Sequence, residues 1–313
     1  MADPGLAPIL PDGTPRILFC GATTLDTIFR VNALPVGPGK VLSKQMTVVA
    51  HGMAASAAAT AARLGASAML FSRLGKDATG KRIYDDLSAS GVDCSGVRRF
   101  AEVASALCTV IVDDSGERLV VPFYDPALPA DPGWLPLELV ESADAVLVDV
   151  RWPQGAAALL DAARAAEIPA VLDADTGPRD VLLDLASRAT HTVFSQPGAR
   201  IAAALDDDTE ALAWLTDRID GFLAVTLGAR GCHWMDAGQI RHVAGHNVRA
   251  IDTLAAGDVF HGTFTWALAQ DVAPPDCIAI ANAAAAFKCQ TFGGRLGAPD
   301  RAELHNFLQG TSR

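Results

Sequence analysis

The chain has 313 residues, of which half are hydrophobic and 19% are charged, and its formal net charge is −11. Because the balance is acidic and no block of basic residues is present, nucleic acid is not expected as a partner. No apolar run reaches the roughly 18 residues that a membrane-spanning helix requires, so a membrane protein is not expected either.

The first residues predict a leader, a strand and one candidate ligand-binding residue. Residues 1–15 are rich in Pro, Gly and Asp and show no signal-peptide pattern, so we expect a disordered leader on a cytoplasmic protein. Residues 16–21, bounded by Pro and Gly, predict a buried strand. Asp26 follows on a predicted loop beyond the carboxyl end of this strand, where α/β sheets bind ligands. From position alone, Asp26 either holds a hydroxylated ligand or is a surface-turn carboxylate.

The next hundred residues predict a second, smaller sheet. Residues 54–65 are a run of small residues that ends in glycine, which predicts a helix able to pack closely on its neighbours. Alternation on both sides of a Gly-containing turn predicts a hairpin of residues 106–112 and 118–123. Together with the extended residues 41–49, this hairpin is expected to form a small sheet apart from the main one. The other elements predicted here are a strand at 68–74 and a helix at 79–90.

From residue 144 onward the chain alternates between apolar runs and amphipathic segments. The predicted strands are 145–150, 170–174, 191–195 and 222–227, and the predicted helices are 154–166, 180–187 and 209–219. Repeated strand–helix units predict a mostly parallel sheet covered by helices on both faces. A hairpin at 232–243 and helices at 275–289 and 301–308 complete the chain.

Several common site types are not expected. The six cysteines are dispersed without a C-x-x-C pair, which indicates free thiols in a reducing compartment rather than a zinc site. The sequence contains no P-loop, and no G-x-G-x-x-G follows a predicted strand. A P-loop NTPase and a Rossmann dehydrogenase are therefore not expected.

One stretch, Ile251–Gly262, combines two carboxylates six residues apart with tiny residues between them. Apolar residues return at helical spacing after Asp258, so a helix is predicted to begin there. The free N–H groups and positive dipole end of a helix start favour an anion, and small side chains let it approach. Asp258 is either the N-cap of an ordinary buried helix or the acceptor of a proton from an attacking hydroxyl.

The D-T-L-A-A-G-D segment resembles the D-T-x-G-A-G-D signature of the ribokinase-like sugar kinases, the family of the B-type phosphofructokinase. The resemblance covers residues 16–300 and implies an α/β three-layer sandwich, with a mostly parallel central sheet flanked by helices, plus a small β-sheet lid. It implies that Asp258 is the catalytic base and that the amides of Ala256 and Gly257 hold the charge on the transferred phosphate. Ala255 stands where the family usually has Gly, which is tolerable if the backbone there is not left-handed.

The same resemblance implies roles for residues elsewhere in the chain and for cofactors. It implies that Asp26 binds sugar hydroxyls and that Gly52 lies at the substrate. The family usually has Gly-Gly between the extended segment and the helix here, and this chain has His51-Gly52. ATP and Mg²⁺ are the implied cofactors, and K⁺ is implied near Asp252 and Thr253. The implied nucleotide-binding residues are Thr226, Gly228, Gly231 and Asn282.

Shorter stretches are similar to the bacterial 6-deoxy-6-sulfofructose kinases in particular, including residues 148–152, 194–198 and 258–262. By this similarity Lys40 and Arg151 match positions that hold the anionic sulfonate, whereas Pro122 replaces a polar Asn. Ser195 and Gly198 replace the Asn and Glu of an N-x-x-E motif that organises magnesium and phosphate in most family members.

We therefore expect an ATP-dependent kinase that transfers the γ-phosphate to a primary hydroxyl of a ketose-type sugar, with 6-deoxy-6-sulfofructose as the first choice. The alternatives are a kinase of ribose, fructose or 2-keto-3-deoxygluconate, and a catalytically inactive sugar- or nucleotide-binding protein. The kinase domain is expected over residues 16–313, with lid segments at about 27–50 and 98–124 that also offer a homodimer interface. Sugar and ATP are the expected partners.

Overall fold

The computed structural model describes residues 8–310. The strands are β1 (Arg16–Cys20), β2 (Thr24–Arg30), β3 (Gln45–His51), β4 (Ser67–Gly75), β5 (Val97–Phe100), β6 (Leu107–Val112), β7 (Arg118–Phe123), β8 (Ala145–Asp149), β9 (Ala170–Ala174), β10 (His191–Ser195), β11 (Phe222–Thr226), β12 (Cys232–Asp236) and β13 (Gln239–Val243). The helices are α1 (Met53–Arg63), α2 (Ala78–Ala89), α3 (Pro153–Ala165), α4 (Arg179–Arg188), α5 (Gln196–Ala203), α6 (Asp208–Thr216), α7 (Ala256–Leu268), α8 (Pro274–Cys289) and α9 (Arg301–Leu308).

The large sheet has the strand order β13-β12-β11-β10-β9-β8-β1-β4-β5. Every neighbouring pair from β11 to β5 is parallel, and the β12–β13 hairpin adds an antiparallel edge. Successive residues of β1 face opposite layers: Ile17 and Phe19 pack with α1, α7 and α8, whereas Leu18 and Cys20 pack with α3 to α6. The predicted mostly parallel α/β sandwich is confirmed.

Helix α7 crosses α1 at very short range. A Cβ atom at position 262 would lie 2.4 Å from the Ala57 carbonyl oxygen, so only glycine fits at Gly262. The facing residues of α1 are nearly all alanine and are buried. Small residues on both helices therefore hold α7 against the sheet, with its first turn near the carboxyl ends of the parallel strands.

The small sheet has the order β3-β2-β6-β7 and contains the predicted hairpin, β6 and β7. Asp26 lies within β2 and not on a loop, which corrects the prediction from sequence. The error arose because the chain leaves the large sheet after β1 and enters a new strand within three residues. The extended segment forms a strand only from Gln45, and Val97–Phe100, at the edge of the predicted lid segment, pairs with β4 in the large sheet.

Part of the predicted leader is in contact with the domain. Residues 1–7 lie outside the described range, and residues 8–15 form no helix or strand. Leu10 nevertheless packs against the layer that contains α7 and α8, and the Arg301 guanidinium donates to the carbonyl oxygens of Pro11 and Asp12. Within the part of the chain that the structure describes, no helix has the length and apolarity needed to cross a membrane.

Candidate active site

Two cavities meet at the N-terminus of α7, at the carboxyl edge of the large sheet. The larger measures about 580 Å³ and the smaller about 360 Å³. Thr226, Thr253, Ala256 and Gly257 line both of them. Groups bound in the two cavities can therefore meet at the first turn of this helix, which is the arrangement that a transfer reaction between two ligands requires.

The start of α7 is built to accept an anion. No side chain caps the helix. The N–H of Ala256 donates to the Thr253 carbonyl oxygen at 3.3 Å, and the N–H groups of Gly257 and Asp258 have no side-chain cap. A Cβ atom at Gly257 would meet nothing within 4 Å, so the backbone there is open to the cavities. Ala255 adopts a left-handed backbone with φ of 64°. The sequence analysis accepts alanine at this position only if the backbone is not left-handed, so the structure contradicts that condition. Left-handed alanine costs about 1–2 kcal/mol, so the surrounding turn must hold it in place.

Asp258 lies in the first turn of α7 and lines the larger cavity. Burial, followed by the negative charges of Asp173, Asp175, Asp149 and Asp26, raises the pKa of Asp258 well above its ordinary value. A carboxylate with a raised pKa holds a proton more readily after taking it from a hydroxyl. The surroundings of Asp258 therefore suit a general base.

His51 lies between Asp258 and Asp26. Its Nδ1 is 3.6 Å from Oδ2 of Asp26 and 3.8 Å from Oδ2 of Asp258. Burial, followed by the charges of Arg295 and Lys288, lowers the pKa of His51 to about 3, so the ring is neutral at physiological pH. The two contacts are therefore not ion pairs. Among residues 8–310, Nε2 of His51 has no hydrogen-bond partner.

Asp26 lines the same cavity and accepts a 2.5 Å hydrogen bond from Thr24 Oγ1. Burial raises the pKa of Asp26 to about 6, against the opposing effect of Thr24. Near neutral pH its carboxylate is therefore ionised but incompletely compensated. A sugar hydroxyl that donates to it would supply the missing partner.

Asp149 joins the backbone segments that shape the cavity. It is fully buried, and its Oδ2 accepts from the N–H groups of Ala22 at 2.8 Å and Ala54 at 3.0 Å. Its Oδ1 accepts from the N–H of Arg151 at 2.8 Å. Gly52, with φ of 106°, has a Cβ position only 2.3 Å from the Ala22 carbonyl oxygen, so no other residue fits there.

Two arginines supply positive charge to the larger cavity, and Lys40 does not. Arg151 lies 3.9 Å from Asp175 through Nη2, and Arg118 donates to Thr253 Oγ1 at 2.7 Å. Lys40 lies on the exposed connection between β2 and β3 and lines neither cavity. Of the two predicted sulfonate-binding cations, the structure therefore brings only Arg151 to the site.

The smaller cavity brings together all four predicted nucleotide-binding residues, Thr226, Gly228, Gly231 and Asn282. Gly228 and Gly231 have positive φ values of 59° and 97°, and the latter packs directly on the backbone of the chain after β13. Asn282 donates to the carbonyl oxygens of Val243 and Ala244, both at 3.4 Å. The cavity wall is otherwise mostly apolar, as a site for a flat heterocyclic base would be.

Asp252 and Thr253, the residues expected near K⁺, each contact a positively charged side chain of the protein. Asp252 is fully buried and lines neither cavity, and the ammonium of Lys288 lies 3.5 Å from its Oδ2. Thr253 lines both cavities, but its hydroxyl already accepts from Arg118. A protein cation thus contacts each of the two groups that were expected to hold K⁺.

Ser195 and Gly198, which replace the Asn and Glu of the N-x-x-E motif, are closely packed. Ser195 caps α5, and its Oγ accepts from the N–H of Gly198 at 3.0 Å. A Cβ atom at position 198 would lie 2.2 Å from the Ala174 carbonyl oxygen, so a glutamate cannot stand there without a backbone shift.

The comparisons with known proteins establish the family of this chain. The family model described as pfkB family carbohydrate kinase matches residues 14–301, which is most of the chain. The chain belongs to the pfkB family of carbohydrate kinases. It is therefore an ATP-dependent sugar kinase with a ribokinase-like fold, and the inactive binding protein is no longer a competing interpretation.

Individual pfkB-family relatives cover nearly the whole chain. The ATP-dependent ribose-1-phosphate kinase of Halopiger xanaduensis is 30% identical over 94% of this chain and 98% of its own length. The ribokinase of Haemophilus influenzae is 27% identical over 87% and 92%. The crystal structure of an Agrobacterium tumefaciens protein assigned as a ribokinase superimposes with a TM-score of 0.92, at 44% identity over 95% and 98%. Arabidopsis thaliana ribokinase, solved with ribose and ATP, has a TM-score of 0.80 at 22% identity over 95% and 99% and supports the fold.

Some residues of this pfkB-family site were not identified from the sequence. Asp173 and Asp175 line the larger cavity at the end of β9. That strand was predicted with the right boundaries, so the rule that ligands bind beyond carboxyl ends would have found both carboxylates. Arg118 carried no such signal, because it belongs to the small sheet and reaches the site only through the tertiary fold.

Proposed function

We propose that this pfkB-family kinase phosphorylates a primary hydroxyl of a sugar that carries an anionic group elsewhere in the molecule. The observation that carries this proposal is the presence of Arg118 and Arg151 in the wall of the cavity that also contains Asp258. An anionic group removed from water without cationic partners loses much of its hydration energy. The protein's net charge of −11 would otherwise repel such a substrate.

Two anionic sugars follow from different observations. The similarity of short stretches, including the one that contains Arg151, favours 6-deoxy-6-sulfofructose. The 30% identity to an ATP-dependent ribose-1-phosphate kinase favours ribose 1-phosphate, and the position of Lys40 outside the cavity weakens the first choice. Both sugars have a primary hydroxyl remote from the charged group, so one arrangement of base and arginines serves either of them.

Asp258 is proposed as the base that accepts the proton of the attacking hydroxyl. Its raised pKa, caused by burial and neighbouring carboxylates, supports this role. The amides of Ala256 and Gly257, at the positive end of α7, are proposed to hold the charge that develops on the transferred phosphoryl group. Thr226, Gly228, Gly231 and Asn282 are proposed to contact ATP in the smaller cavity.

Mg²⁺ is the divalent ion that the family implies, and the residues present fit it. Mg²⁺ in phosphotransfer sites is bound through one or two carboxylates together with substrate phosphates. Asp173 and Asp175 line the larger cavity, and burial together with Asp175 and Asp149 raises the pKa of Asp173 well above its ordinary value. A divalent cation would relieve this crowding of negative charge. We propose that these two aspartates hold Mg²⁺ with the ATP phosphates, whose charge the ion neutralises.

The small sheet is proposed as a lid and as a dimer interface. Asp26, Arg118 and Pro122 of this sheet line the larger cavity, which supports closure over the sugar. On the edge strand β7, Leu119, Val121 and Phe123 are all exposed, which supports burial against a second copy. Slower hydrogen exchange in β2, β6 and β7 on addition of sugar, and a molar mass of two chains in sedimentation, are the expected observations.

The substrate proposal is tested with a sugar panel of 6-deoxy-6-sulfofructose, ribose 1-phosphate, fructose and ribose. We expect kcat/KM for the better anionic sugar to exceed both neutral sugars by at least roughly 10²-fold, equivalent to about 2.7 kcal/mol. Arg151→Met should remove most of this preference and leave turnover of the neutral sugars little changed. Arg82→Met, which removes an exposed arginine on α2, is the matched control and should have no effect. A wild-type enzyme that prefers fructose or ribose would make the chain a neutral-sugar kinase.

A further inference from the structure

Lys288 is a fully buried lysine in the last turn of α8. Lysine is almost never buried to this extent unless an anionic partner compensates its charge. Its Nζ donates a 2.6 Å hydrogen bond to the main-chain oxygen of Asp252 and lies 3.5 Å from Oδ2 of the same residue. The main-chain oxygen and one carboxylate oxygen of Asp252 are therefore in contact with an ammonium group.

Both oxygens of the Asp252 carboxylate already have hydrogen-bond donors from the main chain. Its Oδ1 accepts from the N–H of Leu254 at 2.8 Å, and Oδ2 accepts from the N–H groups of Gly293 and Gly294, both at 2.9 Å. Three N–H groups and the Lys288 ammonium therefore already compensate this carboxylate, and Oδ2 is surrounded by donors.

Charge balance leads to the same conclusion. Asp252 and Lys288 contribute one negative and one positive charge, and both side chains are fully buried. A potassium ion added beside them would be a buried positive charge without a counter-charge, which is strongly unfavourable. Thr253, the other predicted ligand, already accepts from the Arg118 guanidinium.

We propose that the ammonium of Lys288 takes the place of the monovalent cation and that this kinase needs no K⁺. The ion that the resemblance implied does not fit the residues present. Lys288 acts as a positioning residue: it holds the main chain at Asp252, and Ile251 is tied in addition to the Cys289 carbonyl oxygen at 2.8 Å. From Asp252 the chain runs through Thr253 and the left-handed Ala255 into the anion site at the start of α7. This inference rests on the family's kinase activity and not on the identity of the sugar.

The first test uses the wild-type protein in KCl, NaCl and choline chloride at equal ionic strength. Because no cation binds this site, Tm should agree among the three salts within about 1 °C and turnover within about twofold. The Tm measurement needs no substrate, so it still tests the inference if the proposed sugar proves wrong. A Tm raised specifically by KCl, or turnover at least roughly tenfold higher in KCl than in choline chloride, would overturn the proposal.

The second test removes the ammonium with Lys288→Met. Removal of one partner of a buried ion pair should lower Tm in choline chloride by roughly 10 °C. The vacated position then offers Asp252 oxygens to a free cation, so KCl or NH₄Cl should raise Tm and restore turnover, whereas choline should do neither. Lys81→Met, at an exposed lysine on α2, is the matched control and should behave as the wild type in every salt.

The variants also separate the ammonium's role from simple packing. Lys288→Arg keeps the positive charge and should remain independent of K⁺, even if its larger side chain lowers Tm. A folded Lys288→Met protein with wild-type Tm, full turnover and no response to K⁺ would contradict the proposal. If Lys288→Met does not fold, the salt comparisons on the wild type and on Lys288→Arg decide the question.

Discussion

Asp252 and Asp258 stand at the two ends of one turn, and their carboxylates have opposite surroundings. Asp252 accepts from three backbone N–H groups and lies 3.5 Å from Lys288 in a fully buried position. Asp258 faces the larger cavity, where burial and four further aspartates raise its pKa. The difference shows that an aspartate whose charge is compensated, such as Asp252, holds the backbone in place. An aspartate whose charge is not compensated, such as Asp258, is suited to a reactive role.

The largest expected effect comes from removal of the uncompensated carboxylate. Asp258→Asn should lower kcat by about 10² to 10⁴, the range for a positioned general base. Because a neutral amide removes the repulsion from neighbouring carboxylates, Tm should be unchanged or higher. Steady-state kinetics and thermal unfolding of the same preparation measure both effects. A variant with more than a tenth of wild-type turnover at saturating substrate would exclude Asp258 as the base.

Removal of the compensated carboxylate, Asp252, should lower the stability of the protein, whereas Asp258→Asn lowers its turnover. Asp252→Asn leaves the Lys288 ammonium without a counter-charge in a buried site, so the free energy of unfolding should fall by about 3–5 kcal/mol. Urea denaturation measures this loss, with Asp258→Asn as the control that keeps its stability. If both variants unfold at the wild-type urea concentration, the contrast between the two carboxylates has no energetic basis.

The pH dependence of kcat/KM and of stability tests the uncompensated carboxylates that line the larger cavity. The pKa of Asp26 is raised to about 6, so kcat/KM should fall as the pH drops through about 6 and this carboxylate gains a proton. The free energy of unfolding should change in the opposite direction and rise as the pH drops. Between pH 3.8 and about pH 6, Asp26 keeps its proton in the folded state but has lost it in the unfolded state. The stability that comes from this bound proton is therefore present at low pH and is lost as the pH rises through about 6.

Asp26→Asn isolates that contribution, because the amide oxygen can still accept from Thr24. The variant should be more stable than the wild type above pH 6, by at most about 3 kcal/mol, with the difference shrinking toward pH 4. A stability difference that is constant between pH 4 and pH 8 would show that the Asp26 carboxyl is not perturbed.

The smallest expected effect concerns the residue between the two carboxylates. Ala255→Gly removes left-handed strain of about 1–2 kcal/mol but adds about 0.4–1 kcal/mol of unfolded-state entropy, so a net gain between about 0 and about 1.6 kcal/mol is expected. Urea denaturation against wild type checks the gain, and turnover should change little because the amides of Ala256 and Gly257 remain. A loss of stability would show that the Ala255 methyl group contributes packing that outweighs the strain.

Much of the fold followed from local patterns, whereas most candidate site residues came from the resemblance. The alternation of strands and helices after residue 144 predicted the parallel sheet, because buried strands and amphipathic helices have distinct periods. The small-residue turn before Asp258 predicted an anion site at a helix start, and the structure places that helix start between the two cavities. The nucleotide-binding candidates were named from the resemblance, and one cavity contains all four of them.

The sequence by itself therefore determined the layer architecture and, to within two residues, the start of α7, because both depend on residues close together in the chain. The candidate base came from the resemblance. Only the tertiary structure decided which charges meet. It brought Arg118 rather than Lys40 to the larger cavity, and it seated Lys288 against Asp252, 36 residues away in the chain. The physical reason is that electrostatic compensation depends on distance and burial in space, and neither quantity can be read from the spacing of residues along the chain.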